Sequence, residues 1–326
     1  MTVIHHEADA SLDALAGQRI AVVGYGNQGR SWALNLRDSG LDVRVHARAD
    51  DSRRQAVDDG FDAGDIPGAS DADVLCLLVP DDIIPILDIV PRDDALVVVA
   101  SGYSVAYERF IPSCDIGMVA PRMLGPEVRE CYLEDVGFIT AVGVQQDVTG
   151  TARDRTLAVA LAIGGLKQGA IEMTPMQEAV LDLAVEQALA PALRRVNLAF
   201  TQVMAEHGIP LEAILAELFL SGEMERTFRR LRLEGYAAQM EHHSPISQYG
   251  QLSRVDRYDA IDLLEPMRSI VTEIADGRFA DEWDAEREEG HPTLQELKDV
   301  AVGPEVVAWE KELRATLGEA AARGSA

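Results

Sequence analysis

The chain has 326 residues, enough for one large or two ordinary domains. Hydrophobic residues make up 47% and charged ones 26%, as in folded globular chains, and no apolar run of about 18 residues suggests a membrane span. Fifty-five acidic against 29 basic residues give a formal net charge of −26, a field that repels phosphate backbones and argues against nucleic-acid partners.

Lys167, Lys298 and Lys311 are the only lysines; the other basic residues are arginines. A salt-rich cytoplasm and a GC-rich genome would each favour such a composition. The polar start, with His5, His6, Glu7 and Asp9, lacks the basic and apolar stretches of a secretory signal, so a cytoplasmic location is expected. Cys76, Cys114 and Cys131 show no paired spacing and imply neither a disulfide framework nor a zinc site.

Arg19 to Gly24 is a short, β-branched, apolar run, the pattern of a buried parallel strand. Gly24-Tyr25-Gly26-Asn27-Gln28-Gly29 follows, then a predicted helix from Ser31 to Asp38 that ends at Gly40. Further strands are predicted at Asp42–Ala47, Asp73–Val79, Ala95–Ala100, Ile116–Ala120 and Gly137–Val142. Strands alternating with helical stretches give an open, mostly parallel α/β sheet of Rossmann type over residues 1–173. From 174 to 326 the texture is helical: apolar residues recur at helical spacing over Glu178–Ala205, Leu211–Leu220 and Tyr258–Ile274. The acidic stretch Asp281–Gly290 reads as solvated.

A glycine loop placed between a strand and a helix is the context that makes it a dinucleotide cradle. The first glycine permits the turn, the second lets backbone approach a pyrophosphate, and the third lets helix and strand pack closely. The helix N-terminus then offers free N–H groups to the anion. Beyond the second strand, Arg48, Ser52 and Arg53 suit a 2′-phosphate, whereas Asp50 and Asp51 suit ribose hydroxyls. The cofactor is therefore left as NAD or NADP. Pro80, Ser101, Gly102 and Arg122 follow strand ends, where open α/β sheets hold their ligands.

Asp182 and Glu186 are four apart on a predicted helix and so share a face. Like charges at that spacing repel unless neutralised, and oxygen-only ligands suit Mg²⁺. Two solvated acids are the alternative. Glu217 is a candidate third ligand, with the same alternative. His242 and His243 precede Ser244-Pro245 in what reads as an exposed loop.

The glycine loop with Ala33-Leu-Asn-Leu-Arg-Asp-Ser-Gly40 closely resembles the ketol-acid reductoisomerases of branched-chain amino-acid synthesis. So do Ala162-Ile-Gly-Gly165 with Gly169-Ala-Ile-Glu172 and Thr174, Asp182-Leu-Ala-Val-Glu186-Gln187, Val119-Ala-Pro121, and Gln248-Tyr249-Gly250. The resemblance spans nearly the whole chain. It implies a Rossmann-type domain followed by an all-α dimerising domain, and an enzyme acting on a small hydroxy or keto acid with NAD(P)H and one or two Mg²⁺ ions. In that family an alkyl group migrates and hydride then reduces the keto acid, with metal acting as Lewis acid. By position, Asp182, Glu186 and Glu217 would be metal ligands, Glu217 reaching the site of the partner subunit in a homodimer or larger oligomer.

The departures lie where chemistry is expected. Ser101-Gly102 stands where the family has His-Gly, and Pro121-Arg122 where it has Pro-Lys. Ser221 takes the place of a glutamate four residues after Glu217, unless Glu223 or Glu225 replaces it through a shift of helix register. His242 takes the place of a substrate-binding serine, with Ser244 two residues on. Arg122 would bind a carboxylate bidentately and His242 would relay a proton. These substitutions point to a divergent activity, a redox-coupled rearrangement or ring closure such as specialised metabolism uses. The rival readings are the ordinary reductoisomerase reaction on 2-acetolactate, a metal-independent dehydrogenase and a non-catalytic dinucleotide-binding protein.

Overall fold

The computed structural model describes residues 2–301 and 304–317. The chain separates into two compact units between Leu183 and Ala184. In the first, nine strands form one sheet: β1 (Ile4–His5), β2 (Arg19–Val23), β3 (Asp42–His46), β4 (Ala63–Gly64), β5 (Val74–Leu77), β6 (Leu96–Val99), β7 (Asp115–Pro121), β8 (Thr140–Gln146) and β9 (Ala170–Glu172). Their order is β1-β9-β8-β7-β6-β5-β2-β3-β4. The stretch from β4 to β7 is parallel throughout; β8 runs antiparallel to β7, and β1 antiparallel to β9. This is the expected Rossmann-type sheet, with its switch of strand order between β2 and β5.

The central strands are continuous apolar runs because helices cover both faces. Val22, Val98 and Val119 pack with Trp32, Leu36 and Ile163 on one side, while Val23, Leu75, Val97 and Met118 fill the other. The covering helices are α1 (Asn27–Asp38), α2 (Asp51–Asp58), α3 (Tyr103–Ala106), α4 (Gly125–Leu133), α5 (Ala152–Ala162) and α6 (Pro175–Ala184). Asn35 is fully buried in α1 and donates to the carbonyls of Val128 at 3.3 Å and Ile163 at 3.1 Å, fixing three helices together. At the start of β7, buried Asp115 accepts from the backbone of Val148 and Thr149 and pairs with Arg155 at 3.4 Å.

Several elements differ from expectation, among them the helix expected from Ser31, which begins at Asn27. The strand expected at Gly137–Val142 begins at Thr140, because Gly137 (φ +63°) turns the chain and donates to the Cys131 carbonyl after α4. The polar N-terminal segment supplies an edge strand, with Ile4 and His5 opposite Ile171 and Ala170; two residues carry too little pattern to read.

The second unit is helical, with no strand among its described residues: α7 (Ala190–Glu206), α8 (Leu211–Leu215), α9 (Glu223–Glu234), α10 (Tyr236–Met240), α11 (Pro245–Leu252), α12 (Leu264–Ala275), α13 (Arg278–Glu288), α14 (Pro292–Ala301) and α15 (Pro304–Leu317). π turns at Val185–Leu189 and Ala216–Leu220 continue from α6 and α8. The helix expected from Tyr258 begins only at Leu264, where Asp262 Oδ1 accepts the N–H groups of Leu264 and Glu265. The acidic stretch from Asp281 is helical, most of it within α13, which buries Ala280, and Trp283 stacks on His291. Leu189, Leu193, Val196, Phe200 and Val203 form an exposed apolar stripe at helical spacing. Among the described residues no helix is long and apolar enough to cross a membrane.

Candidate active site

Each glycine of the dinucleotide loop meets its own constraint. Gly24 has φ +93°, and a Cβ there would lie 2.5 Å from the Leu78 carbonyl oxygen. A Cβ on Gly29 would lie 2.2 Å from the Gly24 oxygen, so only glycine lets α1 start this close to β2. Gly26 faces open space, where a phosphate can approach the backbone. Gln28 donates to the Met123 carbonyl at 3.1 Å and accepts from Trp32 Nε1 at 3.2 Å, tying the loop to the end of β7.

Beside the loop lies a cavity of about 460 Å³ lined by Gly26, Asn27, Asp51, Ser52 and Arg129 among others. Tyr25 lines the same cavity; its hydroxyl donates to Asp59 at 2.9 Å, and burial with that carboxylate raises its pKa. At the ribose end, Asp50 caps α2 by accepting the Ser52 N–H at 3.0 Å and pairs with the exposed Arg48 at 3.3 Å. Arg53 donates to the Ala47 carbonyl, and Arg54 pairs with Asp51. Both chemistries read from the sequence are thus present, and Arg53 is engaged by backbone.

The ends of β5, β6 and β7 carry a second cluster. Arg122 follows β7 and pairs with Glu178 and, at 3.3 Å, with Asp182, both on α6. The Glu178 carboxylate is only 2% exposed and accepts the Gly102 N–H at 2.6 Å. A Cβ on Gly102 would lie 2.1 Å from the Pro175 oxygen, so glycine is what lets this N–H reach Glu178. The same contacts hold the first turns of α6 on the sheet and keep it within the first unit.

After Pro80, Asp81 lies close by, its Oδ1 accepting from Ser104 Oγ at 3.2 Å. Burial pushes its pKa up to about 6; hydrogen bonds from Ser101 and Ser104 oppose the rise, and the charges of Glu178 and Asp182 add to it. The structure therefore brings Ser101, Gly102, Arg122 and Asp182 together. It adds Glu178 and Asp81, which sequence reading missed. Glu178 lies four residues before Asp182, so the helical spacing that paired Asp182 with Glu186 extends one turn back.

The remaining candidates belong to the second unit. Glu186 and Glu217 are exposed, and each is the second residue of a π turn, a helix irregularity frequent at functional sites. The helix breaks after the π turn that holds Glu217: Gly222 has φ +73°, Ser221 Oγ accepts the Glu223 N–H at 3.2 Å, and α9 starts at Glu223. His242 is exposed and held by Glu234 at 2.6 Å and by Arg230 at 2.8 Å. Ser244 caps α11 by accepting the Ser247 N–H. Among the described residues of this single chain, no three His, Cys, Asp or Glu side chains gather as a metal-binding set.

A glycine cradle at the sheet's switch point, with a polar cluster at the neighbouring strand ends, defines an NAD(P)-dependent oxidoreductase. Residues 14–169 match the acetohydroxy acid isomeroreductase NADPH-binding domain, and residues 176–319 match the ketol-acid reductoisomerase C-terminal domain. The chain belongs to the ketol-acid reductoisomerase family. It is 36% identical to the ketol-acid reductoisomerase (NADP(+)) of Pyrobaculum calidifontis over 97% of this chain and 99% of that one. With the ketol-acid reductoisomerase (NAD(P)(+)) of Metallosphaera sedula it shares 34%, over 89% of each. The structure of an NADH-preferring ketol-acid reductoisomerase from an uncultured archaeon superposes with a TM-score of 0.88 at 29% identity, covering 96% of this chain and 98% of that one.

Proposed function

We propose that the chain couples nicotinamide hydride transfer to a rearrangement or ring closure of a small hydroxy or keto acid beside bound Mg²⁺. The observation that supports this most is the Arg122 fork closed on Glu178 and Asp182, next to Ser101. Family members of the ordinary type are expected to have a compact ammonium and an imidazole at these two places. A planar, permanently charged guanidinium and a hydroxyl present different hydrogen bonds to a substrate.

Asp182, Glu186 and Glu217 are hard oxygen donors of the kind Mg²⁺ takes, and would hold it, with Glu217 supplied by a partner subunit. When bound, the ion supplies Lewis acidity toward substrate oxygens. Gly24, Gly26, Gly29, Asn27 and Gln28 hold the pyrophosphate; Arg48, Asp51 and Ser52 contact the adenosine ribose, and Pro80, Ser101 and Gly102 border the nicotinamide. His242, oriented by Glu234, and Ser244 serve the substrate end. The exposed apolar stripe through Leu193, Val196 and Phe200 supports a homodimer.

The full-length relatives named as ketol-acid reductoisomerases favour a second reading, the ordinary conversion of 2-acetolactate in branched-chain amino-acid synthesis. Following NADPH and NADH oxidation with 2-acetolactate and Mg²⁺ separates the two. The divergent reading expects little turnover there and Mg²⁺-dependent turnover on another small hydroxy or keto acid. Rapid turnover of 2-acetolactate overturns it.

A further inference from the structure

The edge of the first unit holds a cavity that neither the dinucleotide loop nor the strand-end cluster uses. β9 pairs with β8 only over Thr140–Val142. The chain then turns across the sheet at Gly143, where a Cβ would lie 2.1 Å from the Met173 oxygen. Beside the rest of β8 this leaves a cavity of about 400 Å³, walled by α5 and by the start of α6. All of its lining residues belong to the first unit.

The lining is part aliphatic, from Val142, Val144, Leu157 and Met173, and part charged. Glu172 Oε2 accepts from Nε2 of buried His5 at 2.7 Å and from Arg153 at 3.4 Å, so both contacts fall on one oxygen. Among the described residues that long bond is the only one the Arg153 guanidinium makes, and most of its N–H fork stays available. Asp147 caps the turn into α5 through Oδ1 alone, accepting Gly150 N–H at 2.8 Å and Ala152 N–H at 3.2 Å. The Thr156 hydroxyl, buried in the wall against Gly117, has no hydrogen-bond partner among the described residues. His5 precedes the stretch that matches the family's NADPH-binding domain, so a strand outside that match completes the cavity.

We propose that this cavity binds one small aliphatic α-amino acid. Its volume suits a ligand of that size. Arg153 forks onto the carboxylate, the second oxygens of Glu172 and Asp147 take the ammonium, and the hydrocarbon side chain covers the aliphatic wall. A plain carboxylic acid would leave the two acids facing it uncompensated, and a plain amine would leave the Arg153 fork unused. Thr174 and Gln177, on the α6 side, cap that helix reciprocally at 2.9 and 3.1 Å. An occupied cavity therefore braces α6 and should raise the melting temperature as ligand is added.

The test is equilibrium dialysis of the full-length protein with radiolabelled L-leucine, without cofactor, metal or hydroxy acid. One site per chain is expected, with L-valine competing. 4-Methylpentanoate and 3-methylbutylamine each lack one of leucine's charges and should compete at least about tenfold more weakly. Arg153→Ala and Glu172→Gln change exposed side chains and should each weaken leucine at least about tenfold. Should circular dichroism show either unfolded, Val144→Trp decides instead: it fills the cavity and should abolish binding. No bound leucine at millimolar concentration, equal competition by 4-methylpentanoate, or unchanged binding in the folded variants would overturn the inference. Binding that survives those variants and disappears in Asp182→Ala would place the amino acid at the strand-end cluster and overturn it as well.

Discussion

Replacing Glu178 probes the strand-end cluster at its most buried point. The carboxylate accepts a 2.6 Å bond from Gly102 N–H, pairs with Arg122, and is 2% exposed. A charge-assisted bond of this kind contributes about 1.5–3 kcal/mol. Losing one partner of a fully buried ion pair costs about 3–5 kcal/mol. Arg122 is 30% exposed and keeps Asp182, so the lower end of that range applies. Glu178→Ala should therefore lower stability by about 3 kcal/mol. Glu178→Gln keeps an acceptor for Gly102 and loses only the charge, so it should cost about 1–2 kcal/mol. Urea denaturation followed by far-ultraviolet circular dichroism, at fixed protein concentration, reads both midpoints. Equal losses in the two variants, or an alanine loss under about 0.5 kcal/mol, would show that the Gly102 bond does not hold α6 to the sheet.

Three further expectations follow from named contacts. Gly29→Ala places a methyl 2.2 Å from the Gly24 oxygen and should weaken NADPH binding at least about tenfold while α/β content is retained; calorimetry with unchanged affinity would contradict it. Asp115→Ala leaves the Arg155 guanidinium, whose side chain is 7% exposed, with only the Asp73 and Asp94 carbonyls, removes the acceptor of the Val148 and Thr149 N–H groups, and should cost about 3–5 kcal/mol in the same denaturation assay. Asp81 holds its proton up to about pH 6 in the folded chain, against an ordinary 3.8. The stability this gives is complete below about pH 4 and is lost as pH rises through about 6. In metal-free buffer Asp81→Asn should be more stable than the parent at pH 7.5 by about 3 kcal/mol, with the gap closing toward pH 4; a pH-independent gap would refute the burial argument.

The parallel sheet was legible because strands such as Leu96–Val99 are buried on both faces and leave unbroken β-branched runs. The glycine loop was legible because Gly24 and Gly29 each meet a steric demand no other residue satisfies, while Gly26 leaves the backbone open to a phosphate. Glu178 was not, since one acid in a chain with 55 carries no signal until Gly102 and Arg122 are seen against it. Asp81 was hidden for the same reason. The π turns at Glu186 and Glu217 were invisible as well: both stretches read as ordinary helix, and nothing local distinguishes an i+5 bond from an i+4 bond. The pairing of Arg122 with protein carboxylates depends on α6 returning over the end of β7, which no local pattern encodes.

That nicotinamide and a divalent cation meet beside Asp182 is tested most directly by nuclear magnetic resonance of bound NADP⁺ in the presence of Mn²⁺. Strong paramagnetic broadening of the nicotinamide ring protons, abolished in Asp182→Ala while NADP⁺ affinity persists, is the predicted outcome. Sharp nicotinamide resonances at saturating Mn²⁺, or broadening that survives the substitution, would contradict it.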